Sequence, residues 1–256
     1  LMTDIERRNT HAEYEKRLDN PFSKGLIVGI EKPLHWTSFD VVNKVRYLLT
    51  RRLKLKKLKV GHAGTLDPLA TGVVVLCTGK STKMIETLQA HNKTYRTTIK
   101  LGATTPSYDM ETEVDRYFPT EHITRELVEK ILQTFVGTIQ QVPPTFSACK
   151  VDGKRAYEMA RVGKEVELRA KEISIQDIRL LRYAQDEIEI EVDCGKGTYI
   201  RALARDIGEA LGSGGYLTAL RRIRSGDVDE DSLITMEEVP EWIERVLSES
   251  EDKDKY

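Results

Sequence analysis

Residues 61–72 read Gly61-His62-Ala63-Gly64-Thr65-Leu66-Asp67-Pro68-Leu69-Ala70-Thr71-Gly72 and run straight into the apolar stretch 73–77. Three glycines, a proline and one carboxylate make a stiff loop that another backbone can approach closely. Its single strong acid–base group, Asp67, stands just ahead of a strand rather than on a free tip. On the residues alone the loop reads either as a tight turn whose aspartate bonds local amides or as a carboxylate placed for chemistry. No second carboxylate is near enough in sequence for a glycosidase pair. No His/Cys cluster follows that would hold a metal.

Working outward, Val73 to Cys77 lies between Gly72 and Gly79 and predicts a central strand. Leu26 to Ile30 predicts a second buried strand. Thr37 and Asp40, three apart, form a capping-box start for a helix reaching roughly Leu49. A helix is expected from Ser81 to Ala90, and a strand from Thr94 to Leu101. Ile123, Leu127, Ile131 and Phe135 keep helical spacing until Gly137 stops them. Strands are expected near 173–183 and 187–193. Thr198 is expected to cap a helix whose face carries Ile200, Leu203, Ala204, Ile207 and Leu211, and a last helix spans Met236 to Leu247. Residues 143–171, opened by Pro143-Pro144 and rich in charge, read as an excursion from the core. Strands and helices alternate without a strict βαβ rhythm, which points to an α+β fold on a mixed sheet.

Gly79-Lys80-Ser81 after an apolar strand imitates the end of a phosphate-binding P-loop, which needs a glycine five residues earlier. That position is Val74, so nucleotide hydrolysis is excluded.

The 256 residues carry 40 Lys+Arg against 41 Asp+Glu. The near balance hides an asymmetry. Residues 227–256 hold 12 acidic and 3 basic side chains, leaving 37 basic and 29 acidic in residues 1–226. A basic body fits a polyanionic partner as well as an ordinary solvated surface. In residues 51–59, six of nine are Lys or Arg. Three separated cysteines exclude a disulfide framework and a paired zinc spacing. The charged first thirty residues lead us to expect no signal peptide and no membrane helix, hence a cytoplasmic protein.

The string at 61–72 resembles the signature of the TruB family of tRNA pseudouridine synthases. Other segments agree in the same order: Lys32-Pro33 with Thr37-Ser38, Lys93-Thr94-Tyr95-Arg96, and Leu101-Gly102 with Thr104 and Asp109. Pro143-Pro144-x-Phe146-Ser147-Ala148-x-Lys150, Gly195 to Arg201, and Leu220-Arg221-Arg222 complete the set. The resemblance covers roughly residues 25–226. It implies a largely antiparallel pseudouridine synthase core with an RNA-binding insertion at about 143–171, a charged extension at 1–24, and an acidic helix and tail at 227–256.

It also implies a reaction: isomerisation of uridine 55 in the tRNA T arm, with no cofactor, no metal and no guide RNA, by a monomer. Asp67 matches the catalytic aspartate. Tyr95 matches the residue that stacks on the flipped uracil, and Arg201 the partner that keeps the carboxylate ionised. Tyr199 and Leu220 match pocket walls, His62 a residue that fills the space of extruded bases, and Lys32 a buttress. The run 51–59 and the insertion at 147–171, with 7 basic and 4 acidic residues, are candidate phosphate binders.

The sequence departs from the pattern at Glu31, where Asp is usual, and at His35, where Gly is usual. Only 30 residues follow Gly226, so a PUA domain is not expected. The alternatives are an RNA-binding or tRNA-folding module with little catalysis, and a guide-RNA-dependent synthase.

Overall fold

The computed structural model describes residues 3–145, 150–151, 154–155 and 168–255. Most of the insertion foreseen at 143–171 therefore lies outside the described residues. The chain divides into two compact units, Leu1–Ala90 with Arg224–Tyr256, and His91–Ile223.

The first unit opens with α1 (Asp4–Leu18), started by a capping box between Thr3 and Glu6, and the single turn α2 (Pro21–Lys24). Strand β1 (Ile27–Lys32) follows. Helix α3 (Ser38–Leu53) begins at the foreseen capping box: Asp40 N–H donates to Thr37 Oγ1, and Thr37 N–H to the Asp40 carboxylate. It runs one turn past Leu49 and ends with Lys54 left-handed. β2 (Val60–His62) and β1 both pair antiparallel with β3 (Ala70–Thr78). Eight of the nine β3 residues, Val73 to Cys77 among them, are buried, as a central strand requires.

Residues 79–90 differ from the single helix expected. A 3-10 turn at Gly79–Met84 precedes the short α4 (Ile85–Gln89). Thr82 Oγ1 donates to Gly79 O at 2.9 Å and Ser81 Oγ to Leu26 O at 2.6 Å. Such side-chain bonds to backbone compete with α-helical ones. They also occupy the hydroxyl that a P-loop would turn to a phosphate-bound cation.

The second unit starts with β4 (Lys93–Leu101), which buries every second residue from Lys93 to Leu101. The short β5 (Ala103–Thr104) and β6 (Arg116–Tyr117) pair with each other. Helix α5 (Arg125–Thr134) is capped by Thr124. It buries Val128 and Leu132 more fully than Leu127 and Ile131, one position round from the expected stripe. β7 (Gly137–Gln141) follows, and β8 (Lys150–Val151) pairs with β9 (Lys154–Arg155). β10 (Lys171–Ala184) and β11 (Glu187–Cys194) form a long antiparallel hairpin. α6 (Ile200–Ala210) buries the foreseen face of Ile200, Leu203, Ala204 and Ile207. With β12 (Gly215–Ser225) the strand order is β12-β4-β11-β10-β7.

The chain returns to the first unit with β13 (Val228–Asp229) and α7 (Val239–Lys253). Thr235 Oγ1 bonds Glu238 and Pro240 occupies the first turn, so this helix starts three residues after Met236 and runs to Lys253. The acidic C-terminal segment is thus anchored. Val239, Trp242 and Ile243 are buried with Phe22, Val42, Val45 and Leu49, and Trp242 meets Phe22 edge-on at 5.3 Å between ring centroids. Ile30 and Ile234 add a parallel bridge. The fold is α+β on a mixed, largely antiparallel sheet.

Candidate active site

In the first unit, Asp67 lies half-buried in the connection between β2 and β3. Gly64 and Gly72 take φ of 113° and 104°, which side-chain-bearing residues rarely adopt, so the loop can double back around the aspartate. Two side chains pin it. Leu66 N–H donates to Ser38 Oγ at 2.9 Å, and that hydroxyl lies 3.2 Å from Leu66 O. Lys32 Nζ donates to Pro33 O at 2.8 Å, Trp36 O at 2.6 Å and Pro68 O at 3.3 Å. Lys32 is 0% exposed. A buried ammonium is tolerable only when its donors are engaged, and these three carbonyls tie both neighbouring turns to one point. Lys32 therefore holds the carbonyl of Pro68, the residue next to Asp67.

Further bonds close the loop: Ala70 N–H to Asp67 O at 2.9 Å and His35 N–H to Pro68 O at 2.7 Å. His35 has φ 71°. This left-handed position explains why glycine is usual there in the resembled family. His62 ends β2 opposite Leu76 and is half-buried.

The second unit carries Tyr95, Tyr199, Arg201 and Leu220. Tyr95 is 9% exposed and shares the buried face of β4 with Lys93 and Thr97. Leu220 stands on the adjacent strand β12, next to Ala219, whose carbonyl accepts from Thr97 Oγ1 at 2.7 Å. Lys93 lies below the ordinary lysine range, first because it is buried and then because the Arg222 charge repels its ammonium. Burial pushes the Cys194 thiol up to about 12.

The helix start at α6 differs from expectation. Thr198 Oγ1 donates to Gly195 O, and Tyr199 is the N-cap, with no side-chain cap of its own. Gln141 supplies what Thr198 does not: its Oε1 accepts from Tyr199 N–H at 2.9 Å and its Nε2 donates to Tyr199 O at 3.2 Å. Gln141 is a site-shaping residue that the sequence reading missed.

Arg201 is no solvated first-turn arginine. It is 5% exposed, donates from Nη1 to Ser107 O at 3.3 Å, and has Asp109 Oδ2 4.0 Å from Nε. Asp109, 6% exposed, accepts from Ser107 Oγ at 2.6 Å and Glu111 N–H at 2.9 Å. Hydrogen bonds of this kind fix the orientation of the carboxylate beside the arginine. Between the two groups Tyr108 takes φ 63°, a strained value for an aromatic residue. Asp109 had been singled out only as a motif letter. Its role as a partner of Arg201 comes from the turn at 105–109 bringing it back to α6.

Among the described residues, no group of three or more His, Cys, Asp or Glu could hold a metal ion. Among them also, no helix is long and apolar enough to cross a membrane.

Two family profiles match the chain: TruB family pseudouridylate synthase (N terminal domain) over residues 51–200, and tRNA pseudouridylate synthase B C-terminal domain over residues 201–254. A tRNA pseudouridine synthase B of Phocaeicola vulgatus is 61% identical over 88% of this chain and 95% of its own length. One from Clostridium perfringens is 45% identical over 84% of this chain and 71% of its own. Among solved structures, that of a Cbf5-Nop10-Gar1 complex matches with a TM-score of 0.66 and 26% identity, over 87% of this chain. The chain spans 55% of that protein's length.

Proposed function

The chain belongs to the TruB family of pseudouridylate synthases, and from this premise we propose that it isomerises uridine 55 in the T arm of tRNA to pseudouridine. Asp67 is the catalytic carboxylate. Tyr95, Tyr199, Arg201, Leu220, His62 and Lys32 bind or position the substrate. The reaction breaks the C1′–N1 bond and joins C1′ to C5. N1 gains a proton and C5 loses one, so the exchange balances without an external reagent. An ionised carboxylate serves either route to the detached base, attack on the nucleoside or removal of a sugar proton. The target base must first leave its stack at a cost of a few kcal/mol, which phosphate contacts and the uracil pocket offset.

The observation that carries this reading is the loop 61–72, whose lone aspartate sits between Leu66, bonded through its N–H to the Ser38 hydroxyl, and Pro68, whose carbonyl accepts from the buried Lys32 ammonium. Carbodiimide labelling of a treated tRNA transcript, read as reverse-transcription stops, tests the specificity. A single new stop at position 55 is expected. Stops elsewhere with none at 55 would refute it.

A further inference from the structure

The basic run at 51–59 is not one patch. Arg52 turns to α7 and pairs with Glu244 at 2.5 Å. Leu55 and Leu58 are 6% and 8% exposed and belong to the core of the first unit. They anchor the segment so that Lys56, Lys57 and Lys59 stand outside at fixed places. The backbone is held as well: Leu55 N–H donates to Thr50 O at 3.0 Å, Gly79 N–H to Lys59 O at 2.8 Å, and Arg46 Nη2 to Val60 O at 2.9 Å. These three lysines, with Arg46 and Tyr47, line a groove of about 800 Å³ between α3 and residues 56–61. The lining contains four cations and no carboxylate. Tyr47 is 50% exposed, with Arg51 Nη1 bonding its hydroxyl at 2.8 Å and Lys44 Nζ 5.8 Å from its ring centroid.

We propose that this groove binds the sugar–phosphate backbone of the RNA stem that flanks the target loop, an inference that rests on the RNA-modifying function above. A solvated protein surface intersperses charges of both signs, whereas four unopposed cations on a fixed frame repel one another until a polyanion neutralises them. Pre-ordered lysines lose less conformational freedom on binding than lysines of a loose tail. Gly61 lines the groove six residues before Asp67, so even a fully extended chain keeps the two within about 20 Å. That span covers roughly six base-pair steps of one strand. The phosphates concerned therefore flank the target rather than belong to a distant arm. The exposed face of Tyr47 adds a surface for a sugar or an unpaired base.

The test is binding of an unmodified tRNA transcript across a salt series by the full chain carrying Asp67→Asn, which removes turnover from the measurement. The added triple change Lys56→Gln, Lys57→Gln and Lys59→Gln should weaken binding at least tenfold at low salt. It should also flatten the slope of log affinity against log salt by about 2–3, at close to 0.9 per phosphate contact. The same three positions changed to Arg should keep the slope. A control with equal loss of charge on α1 (Arg7→Gln, Arg8→Gln and Lys16→Gln) should leave it unchanged. An unaltered slope in the groove triple, or equal flattening in the control, would overturn the proposal. The two readings fail separately. A wild type that binds through the groove yet forms no pseudouridine sinks the synthase reading alone, while an active synthase indifferent to the groove triple sinks the groove alone.

Discussion

Lys32, Ser38 and His35 are three small anchors around one carboxylate, and each acts through the backbone rather than through substrate. Lys32 and Ser38 bind carbonyl and amide groups of residues 66 and 68, so the aspartate between them has little freedom to swing. His35 is the imperfect anchor. Its N–H bond to Pro68 requires φ 71°, where a side chain costs about 1–2 kcal/mol and glycine none. Against this, glycine loses more entropy on folding, about 0.5–1 kcal/mol. His35→Gly should therefore stabilise the protein by roughly 0.5 kcal/mol, read as a higher urea midpoint at unchanged slope. A lower midpoint would show that the exposed imidazole makes a contact worth more than the strain.

At the scale of elements, local signals were legible and long-range ones were not. The box at Thr37 and Asp40, the apolar run Val73–Cys77 and the stripe on α6 each depend on neighbours in sequence, and each forms as read. The cap of α6 failed because its donor and acceptor come from Gln141 on β7, about sixty residues away and invisible to any local rule. The Arg201–Asp109 pair escaped for the same reason. β11 offers a test at this scale. Its last residue, Cys194, is wholly buried opposite Lys93, and its thiol titrates near 12 in the fold against 9.0 for a free thiol.

The raised value favours the protonated thiol in the folded state. That contribution is complete below about pH 9 and is lost as pH rises towards 12. At pH 10.5 the loss is about 2 kcal/mol. Lys93, depressed by burial and Arg222, changes stability in the opposite direction over its own titration, so the comparison needs a variant. Cys194→Ala should lose about 2 kcal/mol less than wild type between pH 8 and pH 10.5 in denaturant titrations. Equal losses would contradict the burial of that thiol.

For the whole molecule, net charge misled and its distribution informed. A total of −1 conceals an acidic C-terminal helix whose Trp242 is buried in the core of the first unit and a basic groove at α3 whose lining holds no carboxylate. The division into units at Ala90/His91 and Ile223/Arg224 was not legible, because composition does not change at those points and the division follows packing alone. The family was legible because its motifs are backbone requirements: a glycine-rich loop, a buried lysine and a strand that buries alternate residues.

The central claim is that this chain isomerises tRNA uridine through Asp67. It is tested most directly by tritium release from a C5-tritiated uridine tRNA transcript, comparing wild type with Asp67→Asn under chelator and without guide RNA. Wild type should release one equivalent per tRNA, while Asp67→Asn should release none and still bind tRNA, with affinity within about 1–2 kcal/mol, because binding is mainly electrostatic. Release by the Asp67→Asn protein at the wild-type rate, or none by a wild type that binds tRNA tightly, would contradict it.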